Sequence, residues 1–230
     1  MSIVGLITAR GGSKGIPGKN IIRCAGKPLL QYSCEAALRS RLDRVILSTD
    51  DAAIADVGRA CGVEVPFMRP ATLSADDTTS IAVMRHALEW LRSEASEPEA
   101  MMLLQPTSPL RTNRHVDESI LLFRERAADT VVSVVEVPHR FHPLSIMREH
   151  SGELHAFEGD RITVTRRQDL TPLFARNGPA VLLVTPAQLD AGHFYGGRVV
   201  GYPMNALDSI DIDTIEDLQL AEYFLLRRSH

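Results

Sequence analysis

Cations and glycines are concentrated in one short segment near the start of the chain, residues 7–20, which reads ITARGGSKGIPGKN. Arg10, Lys14 and Lys19 lie there among four glycines, directly after a short apolar run that predicts a buried strand. Glycine lets a backbone approach a ligand closely, and exposed N–H groups beside cations are suited to binding a polyphosphate. Because the segment matches neither the Walker pattern nor GxGxxG, it indicates a nucleotide-binding loop of another kind.

A second segment that could do chemistry is an acidic run far along the sequence, residues 208–213, which reads DSIDID. In extended backbone, residues i and i+2 point to the same side, so Asp211 and Asp213 would present two carboxylates together. Mg²⁺ prefers oxygen ligands of this type, and the pair is therefore a candidate metal site. The alternative is that Asp213 only caps the helix predicted to follow it.

Two further segments carry polar side chains next to predicted strands. Residues 105–111, QPTSPLR, contain two prolines that stiffen the turn and would hold Gln105 and Arg111 at fixed positions. Gln105 can both donate and accept hydrogen bonds, which suits a sugar hydroxyl or an amide. Arg69 could stack on a base or hydrogen-bond to it. Each of these segments, taken alone, is also compatible with an ordinary turn.

The composition is that of an ordinary globular protein, with 44% hydrophobic and 23% charged residues. The net charge of −4 excludes a generally basic surface, so nucleic-acid binding is not expected. Cys24, Cys34 and Cys61 form no CxxC or zinc-site spacing and are interpreted as free thiols in a reducing compartment. No apolar stretch approaches the ~18–20 residues of a membrane span, and the expectation is a cytoplasmic protein that does not insert into a membrane.

Apolar runs alternate with segments of helical spacing along the chain. Strands are predicted at residues 3–9, 44–48, 63–68, 101–104, 130–137, 180–185 and 197–204, and helices at 29–39, 52–61, 79–93, 113–126 and 215–226. This alternation predicts an α/β domain with a mostly parallel sheet and helices on both faces. Ligands bind such sheets at the carboxyl ends of the strands, where residues 10–20, 49–51 and 105–111 are expected to lie.

Residues 138–177 interrupt this alternation, because they contain few long apolar runs and four of the eight histidines. Short pieces at 144–148 and 153–157 could pair as a hairpin across Ser151 and Gly152. We interpret the region as an arm inserted into a single domain that spans residues 1–230. An arm that cannot bury its own faces usually packs on a partner, so a homodimer is predicted.

The segments ARGGSKGIPGKN, LLQPTSPLR, RRQDLTP, RNG and DSIDIDTIEDLQLAE, in this order, resemble the acylneuraminate cytidylyltransferases, the CMP-sialic acid synthetase family. The resemblance extends over nearly the whole chain and implies a Rossmann-like nucleotidyltransferase fold with an inserted dimerisation arm. By this resemblance, the triphosphate would be bound by Arg10, Ser13, Lys14 and Lys19, and the nucleoside by Asn20 and Arg69. The sugar or its phosphate end would be bound by Gln105, Arg167, Arg176 and Asn177, and Mg²⁺ by Asp211 and Asp213.

The implied reaction is transfer of CMP from CTP to the anomeric hydroxyl of an acidic nine-carbon, nonulosonic sugar, with release of pyrophosphate. Arg10, Lys14 and Mg²⁺ on Asp211 would neutralise charge on the phosphates. Ser145 and Val181 differ from the sialate pattern, which leaves the identity of the sugar open. Two alternatives also stay open: a nucleotidyltransferase that uses another nucleotide or a Kdo-type sugar, and a catalytically silent nucleotide-sugar binding protein.

Overall fold

The computed structural model describes residues 2–13, 15–157 and 171–228. The strands in these residues are β1 (Ile3–Thr8), β2 (Arg23–Cys24), β3 (Lys27–Pro28), β4 (Arg44–Ser48), β5 (Ala100–Leu104), β6 (Thr130–Glu136), β7 (Met147–His150), β8 (Glu153–Ala156), β9 (Phe174–Arg176), β10 (Leu182–Val184) and β11 (Val199–Pro203). The α-helices are α1 (Leu29–Leu38), α2 (Ala52–Ala60), α3 (Ser80–Ser93), α4 (Asn113–Glu125), α5 (Pro186–Asp190) and α6 (Ile215–Arg228).

The central sheet has the strand order β11-β6-β10-β5-β1-β4, and β9 pairs with the far end of β6. β1 runs parallel to β4 and β5, and β6 runs parallel to β11. β10 lies between β5 and β6 and is antiparallel to both, and β9 is antiparallel to β6. The predicted Rossmann-like α/β fold is confirmed, with a reversal of strand direction at β10.

Both faces of the sheet are covered, which explains why its strands are almost continuously apolar. In β1, Ile3 and Ile7 belong to one buried cluster, together with residues of α1, α2 and α4. Val4 and Leu6, which point the other way, belong to a second cluster with residues of α3. Successive strand side chains alternate between the two faces, and every one of these four side chains is buried.

The helix boundaries follow from local signals in the sequence. The side chain of Asp51 accepts a hydrogen bond from the Ile54 N–H and caps α2. Gly62, with φ +87°, follows the end of that helix in the left-handed conformation that favours glycine. Thr79 caps α3 in the same way, through the Ala82 N–H.

The strand predicted at residues 63–68 is wrong. Only two isolated bridges form there, from Glu64 to Ile46 and from Met68 to Thr49. Pro66 lies between them and has no N–H to donate to a sheet ladder. The segment therefore follows the edge of β4 without becoming a strand.

The predicted hairpin in the arm is confirmed, although its strands are shorter than expected. β7 and β8 pair antiparallel in a two-stranded sheet of their own. Ser151 and Gly152 connect them with positive φ angles of 53° and 83°, as a two-residue hairpin turn requires. At the end of the arm, β9 brings the chain back to the core by pairing with β6.

A third buried cluster joins the two ends of the described chain. Leu218, Ala221 and Leu225 form the buried face of α6, as their spacing predicted. They pack against residues near the start of the sequence, including Ile16 and Cys24. This contact places the segment that precedes α6 beside the segment that follows β1.

Candidate active site

A cavity of about 580 Å³ opens at the carboxyl ends of β1 and β5. Its lining includes most of the residues that the sequence singled out, namely Arg10, Ser13, Lys19, Asn20, Arg69, Gln105, Asp211 and Asp213. The position agrees with the rule that open α/β sheets bind ligands outside the carboxyl ends of their strands. The glycine-rich loop and the acidic segment, far apart in sequence, therefore face the same space.

The glycine-rich loop is held in place by side chains that hydrogen-bond to its backbone. Asn20 is buried and donates from Nδ2 to the Arg10 carbonyl at 2.9 Å. The Gly11 N–H donates to Asp50 Oδ1 at 3.1 Å. Gly18, with φ +63°, allows the chain to enter the short 3-10 turn that contains Lys19. Hydrogen bonds from Asn20 and to Asp50 thus hold the loop backbone at Arg10 and Gly11.

Arg10 lines the cavity and contacts residues 75 and 76 of the cavity wall. Its Nη1 lies 3.0 Å from the Asp76 carboxylate and donates to the Ala75 carbonyl at 3.2 Å. Both side chains of the ion pair are partly exposed to solvent, so the pair contributes little to stability. The guanidinium is therefore within reach of a ligand in the cavity.

Arg69 is a buried cation in the cavity wall. Its Nη2 donates to the Ala9 carbonyl at 3.1 Å and lies 3.5 Å from Asp50 Oδ1. Burial lowers the pKa of the Arg69 guanidinium from its usual value. Among the described residues its Nε, also buried, has no hydrogen-bond partner. A buried polar atom without a partner at a cavity wall is a candidate contact for a bound ligand.

Asp211 is the more enclosed of the two predicted metal ligands. Burial raises the pKa of its carboxyl, and the nearby Asp213 carboxylate raises it further. Ser108 Oγ lies 3.5 Å from Asp211 Oδ1. Gly178 packs so closely that an added Cβ would lie 3.2 Å from the Asp211 Cγ. The chain therefore encloses this negative charge with hydroxyl groups and backbone.

Asp213 faces solvent, since its side chain is 79% exposed, and its carboxylate lies 3.6 Å from Lys19 Nζ. The same ammonium donates to the Ile212 carbonyl at 2.7 Å, so it bridges the glycine-rich loop and the acidic segment. The start of α6 is stabilised by Thr214 and Asp217, which hydrogen-bond to each other's backbone N–H groups. Asp213 is thus left available at the cavity and is not needed as the cap.

The two carboxylates fit the requirements of Mg²⁺. This ion usually takes one or two carboxylates and completes its coordination with water and substrate phosphates. Asp211 is a partly buried acid whose negative charge is incompletely compensated, as its raised pKa indicates. In the described part of the chain no group of three or more His, Cys, Asp or Glu side chains forms a complete metal cage. The donor set therefore suits an ion that arrives with a polyphosphate.

Four of the predicted site residues are not among the residues that line the cavity in the described part of the chain. Two of them, Lys14 and Arg167, lie outside the described residues, so the structure says nothing of their position. Arg176 is exposed, and its guanidinium lies over the ring of Tyr195. Asn177 is buried, and its contact with substrate, like that of Arg176, stays a prediction.

The amide of Asn177 is used within the chain. Its Oδ1 accepts from Ser133 Oγ at 2.6 Å, and its Nδ2 donates to Ser209 Oγ at 2.8 Å. Val181, where the sequence differs from the sialate pattern, is fully buried in the core. Its side chain has no exposed surface with which to contact a sugar.

The structure also brings forward residues whose roles were not predicted. Asp50 binds both the Gly11 N–H and Arg69, and Asp76 pairs with Arg10. Asp50 follows β4 directly, and its place at the carboxyl end of a strand was the available signal. Nothing in the sequence indicated that Gly178 would lie against Asp211, because this contact depends on how β9 and β10 meet opposite β6.

Among the described residues, no helix is both long enough and apolar enough to cross a bilayer. Comparison with solved structures gives a CMP:2-keto-3-deoxy-manno-octonic acid synthetase complexed with CTP, with a TM-score of 0.72 and 18% identity over 99% of this chain and 100% of that one. At such low identity, this similarity concerns the fold alone.

Two curated relatives are more similar in sequence. Pseudaminic acid cytidylyltransferase of Campylobacter jejuni is 33% identical over 94% of this chain and 93% of its own length. N-acylneuraminate cytidylyltransferase of Escherichia coli is 32% identical over 95% of this chain, which spans only 51% of that relative. A family profile described as cytidylyltransferase matches residues 4–225. The chain therefore belongs to the cytidylyltransferase family.

Proposed function

We propose that this protein transfers CMP from CTP to the anomeric hydroxyl of a nonulosonic acid and releases pyrophosphate. The observation that carries the proposal is the convergence of a cationic glycine-rich loop and an acidic pair on one cavity, in a chain of this family. The names of the two relatives supply the class of sugar, since one is described by pseudaminic acid and the other by N-acylneuraminate.

The reaction forms a bond between the sugar oxygen and the α-phosphorus of CTP and breaks the bond from that phosphorus to the bridging oxygen of pyrophosphate. The sugar hydroxyl loses its proton, and pyrophosphate leaves with the bonding electron pair. The protein's main tasks are to align the two reactants and to neutralise phosphate charge. Arg10 and Lys19, which flank the cavity from the glycine-rich loop, are placed for the second task.

Mg²⁺ is part of the proposal, with Asp211 and Asp213 as the residues that would hold it. When bound, the ion would neutralise phosphate oxygens and orient them for displacement. Lys19 lies against Asp213 and the Ile212 carbonyl, so it would keep the acidic segment next to the triphosphate loop. Gln105, at the end of β5, lines the cavity and offers an amide to the hydroxyl groups of the sugar.

Pyrophosphate release tests this proposal directly. Purified protein is incubated with Mg²⁺, one of CTP, GTP, UTP or ATP, and one of several acidic sugars, including N-acetylneuraminic, pseudaminic, legionaminic and Kdo sugars. We expect release only with CTP and a nine-carbon acid, and mass spectrometry should identify the CMP-sugar. Release with another nucleotide or with Kdo alone would replace the proposed substrates. CTP binding without release for any sugar would instead indicate a silent binding protein.

A homodimer in the cytoplasm is also proposed, with the arm as its contact. Large apolar side chains of the arm are exposed in the single chain, with Leu154 at 63% and Phe141 at 55%. Cys24 and Cys34 are buried free thiols, which suits a reducing compartment. Light scattering on the purified protein should give about twice the chain mass of 25.3 kDa. A single-chain mass at micromolar concentration would contradict the dimer.

A further inference from the structure

In the part of the chain that the structure describes, Arg111 is the most deeply buried arginine or lysine, with 3% of its surface exposed. Its Nη1 donates to two backbone carbonyls, those of Gln105 at 3.1 Å and Ala180 at 2.8 Å. Its Nη2 donates to Ser33 Oγ. The sequence predicted that the turn would hold Arg111 at a fixed position, and the structure turns its side chain inward, away from the cavity lining.

These three acceptors belong to three different parts of the fold. Gln105 begins the turn after β5, Ala180 lies just before β10, and Ser33 is in the middle of α1. Ser33 Oγ also donates to the Gln105 carbonyl at 3.2 Å, and the Ser108 N–H donates to it at 3.5 Å, so this carbonyl receives three hydrogen bonds from within the protein. The guanidinium therefore joins the ends of two neighbouring strands to the helix behind them.

The backbone segments that Arg111 holds are the same segments that enclose Asp211. Two residues beyond Gln105, the Thr107 carbonyl accepts a hydrogen bond at 2.8 Å from the N–H of Ile212, which directly follows Asp211. On the other side, Gly178 precedes Ala180 by two residues and packs against the Asp211 carboxylate. A shift of either segment would move the surroundings of this carboxylate.

We infer that Arg111 is a positioning residue for the proposed reaction. Its side chain fixes the two wall segments beside Asp211 and thereby the positions of the metal and the sugar. The inference rests on the proposed function and adds to it a residue that touches neither substrate. A guanidinium suits this role because its fixed fork of donors can satisfy several acceptors at once, whereas an ammonium is a single point.

The charge of Arg111 is retained in spite of its burial. Desolvation lowers the pKa of the guanidinium to about 10, so it stays protonated at neutral pH. Within the described residues no carboxylate lies at ion-pair distance from it, and its hydrogen bonds go to neutral oxygens. Removing the side chain would take from the buried Ala180 carbonyl the hydrogen bond that Arg111 donates, while the Gln105 carbonyl would keep those from Ser33 and Ser108.

The test compares Arg111→Lys and Ser33→Ala with the parent protein. Lysine keeps the charge but cannot reproduce the fork, and alanine at position 33 removes one donor to the Gln105 carbonyl while leaving the arginine in place. Arg114→Lys is the matched control, because Arg114 is an exposed arginine on the neighbouring helix α4. Each variant is checked by thermal unfolding, and Mn²⁺ binding in the presence of CTP is measured by electron paramagnetic resonance.

For Arg111→Lys we expect Mn²⁺ affinity and the kcat of CMP transfer to fall by about 10- to 100-fold, as for other residues that orient metal ligands. The KM for CTP should stay near the parent value, because Arg111 does not contact the glycine-rich loop. Ser33→Ala should show smaller falls in Mn²⁺ affinity and kcat, again with a KM for CTP near the parent value. If Arg111→Lys does not fold, the Ser33→Ala result tests the inference. Folded variants with unchanged Mn²⁺ affinity would overturn the inference.

The Mn²⁺ measurement also separates the two proposals. If the parent protein transferred no CMP to any sugar, the proposed function would fail while the effect of Arg111 on the metal site could still be read. If the parent were active and the Arg111→Lys protein lost CTP binding and metal binding in equal measure, the role of Arg111 would be general to the fold. That second outcome would contradict selective positioning.

Discussion

Replacing Asp211 with asparagine is expected to reduce kcat/KM for CMP transfer by roughly 10³-fold or more while leaving the fold intact. The substitution preserves the shape of the side chain but removes the negative charge that would hold Mg²⁺. Steady-state kinetics over a range of Mg²⁺ concentrations measure the effect. We expect no recovery at high Mg²⁺, because an amide is a poor substitute for an enclosed carboxylate as a magnesium ligand.

The same substitution should not lower thermal stability. Burial raises the pKa of the Asp211 carboxyl, which means that the folded chain disfavours its ionised form. At neutral pH the ionised carboxylate therefore costs folding free energy, and a neutral amide of the same size does not. Without added metal, we expect the Tm of Asp211→Asn to equal that of the parent or to exceed it by about 2–4 °C.

Asp56→Asn is the control for this experiment, since its carboxylate is 77% exposed and lies on α2, away from the cavity lining. It should leave both kcat/KM and Tm near the parent values. Near-normal turnover of Asp211→Asn would show that the metal assignment is wrong. A large fall in its Tm would instead show that the carboxylate supports the fold, and the loss of activity would then carry no information on chemistry.

Replacing Lys19 with methionine is the second change for which a large effect is expected, a loss in kcat/KM of about 10²- to 10³-fold. The ammonium is only 15% exposed and contacts the Ile212 carbonyl and the Asp213 carboxylate. Methionine keeps most of the length of the side chain and removes the charge. Because Lys19 is on the glycine-rich loop, the KM for CTP should also rise, which distinguishes this variant from those at Arg111.

The contact between the loop and the acidic segment can be disturbed from the loop backbone as well. An added Cβ at Gly15 would lie 2.9 Å from the Asp213 carbonyl oxygen, whereas one at Gly12 would meet no atom within 4 Å. We therefore expect Gly15→Ala to lower kcat/KM in the same direction as Lys19→Met, and Gly12→Ala to have a much smaller effect. Equal effects of the two alanines, or a normal rate for Lys19→Met, would contradict the predicted contact.

The fold was largely predictable because its signals are local. Alternating apolar runs and helical spacing located the strands and helices of the sheet core. The caps that the structure shows at Asp51 and Thr79 are likewise made by residues next to the helices they begin. The direction of β10 was not predictable in this way. Its short apolar run is compatible with either direction, and its antiparallel position between β5 and β6 depends on how the arm returns the chain.

Several loop residues and the acidic pair that the sequence singled out line one cavity, and their roles in binding stay predictions. The side chains that hold these residues in place were not predicted. The roles of Asp50 and Asp76 follow from contacts that the sequence does not show. Asp50 contacts Gly11 and Arg69, and Asp76 contacts Arg10. The inward direction of Arg111 was not predicted either, because sequence does not show which surroundings satisfy a buried guanidinium.

The bridge from Lys19 to the Ile212 carbonyl joins residues that are 193 positions apart in the chain. Contacts of such sequence separation form late, because a long loop must close before they stabilise anything. The last helix contributes to the same event, since Glu222 on α6 accepts a hydrogen bond from the Ala25 N–H. During synthesis, a chain that has not yet reached α6 holds its glycine-rich loop without the acidic segment opposite it. Catalytic activity in this protein is therefore a property that only the fully folded chain can have.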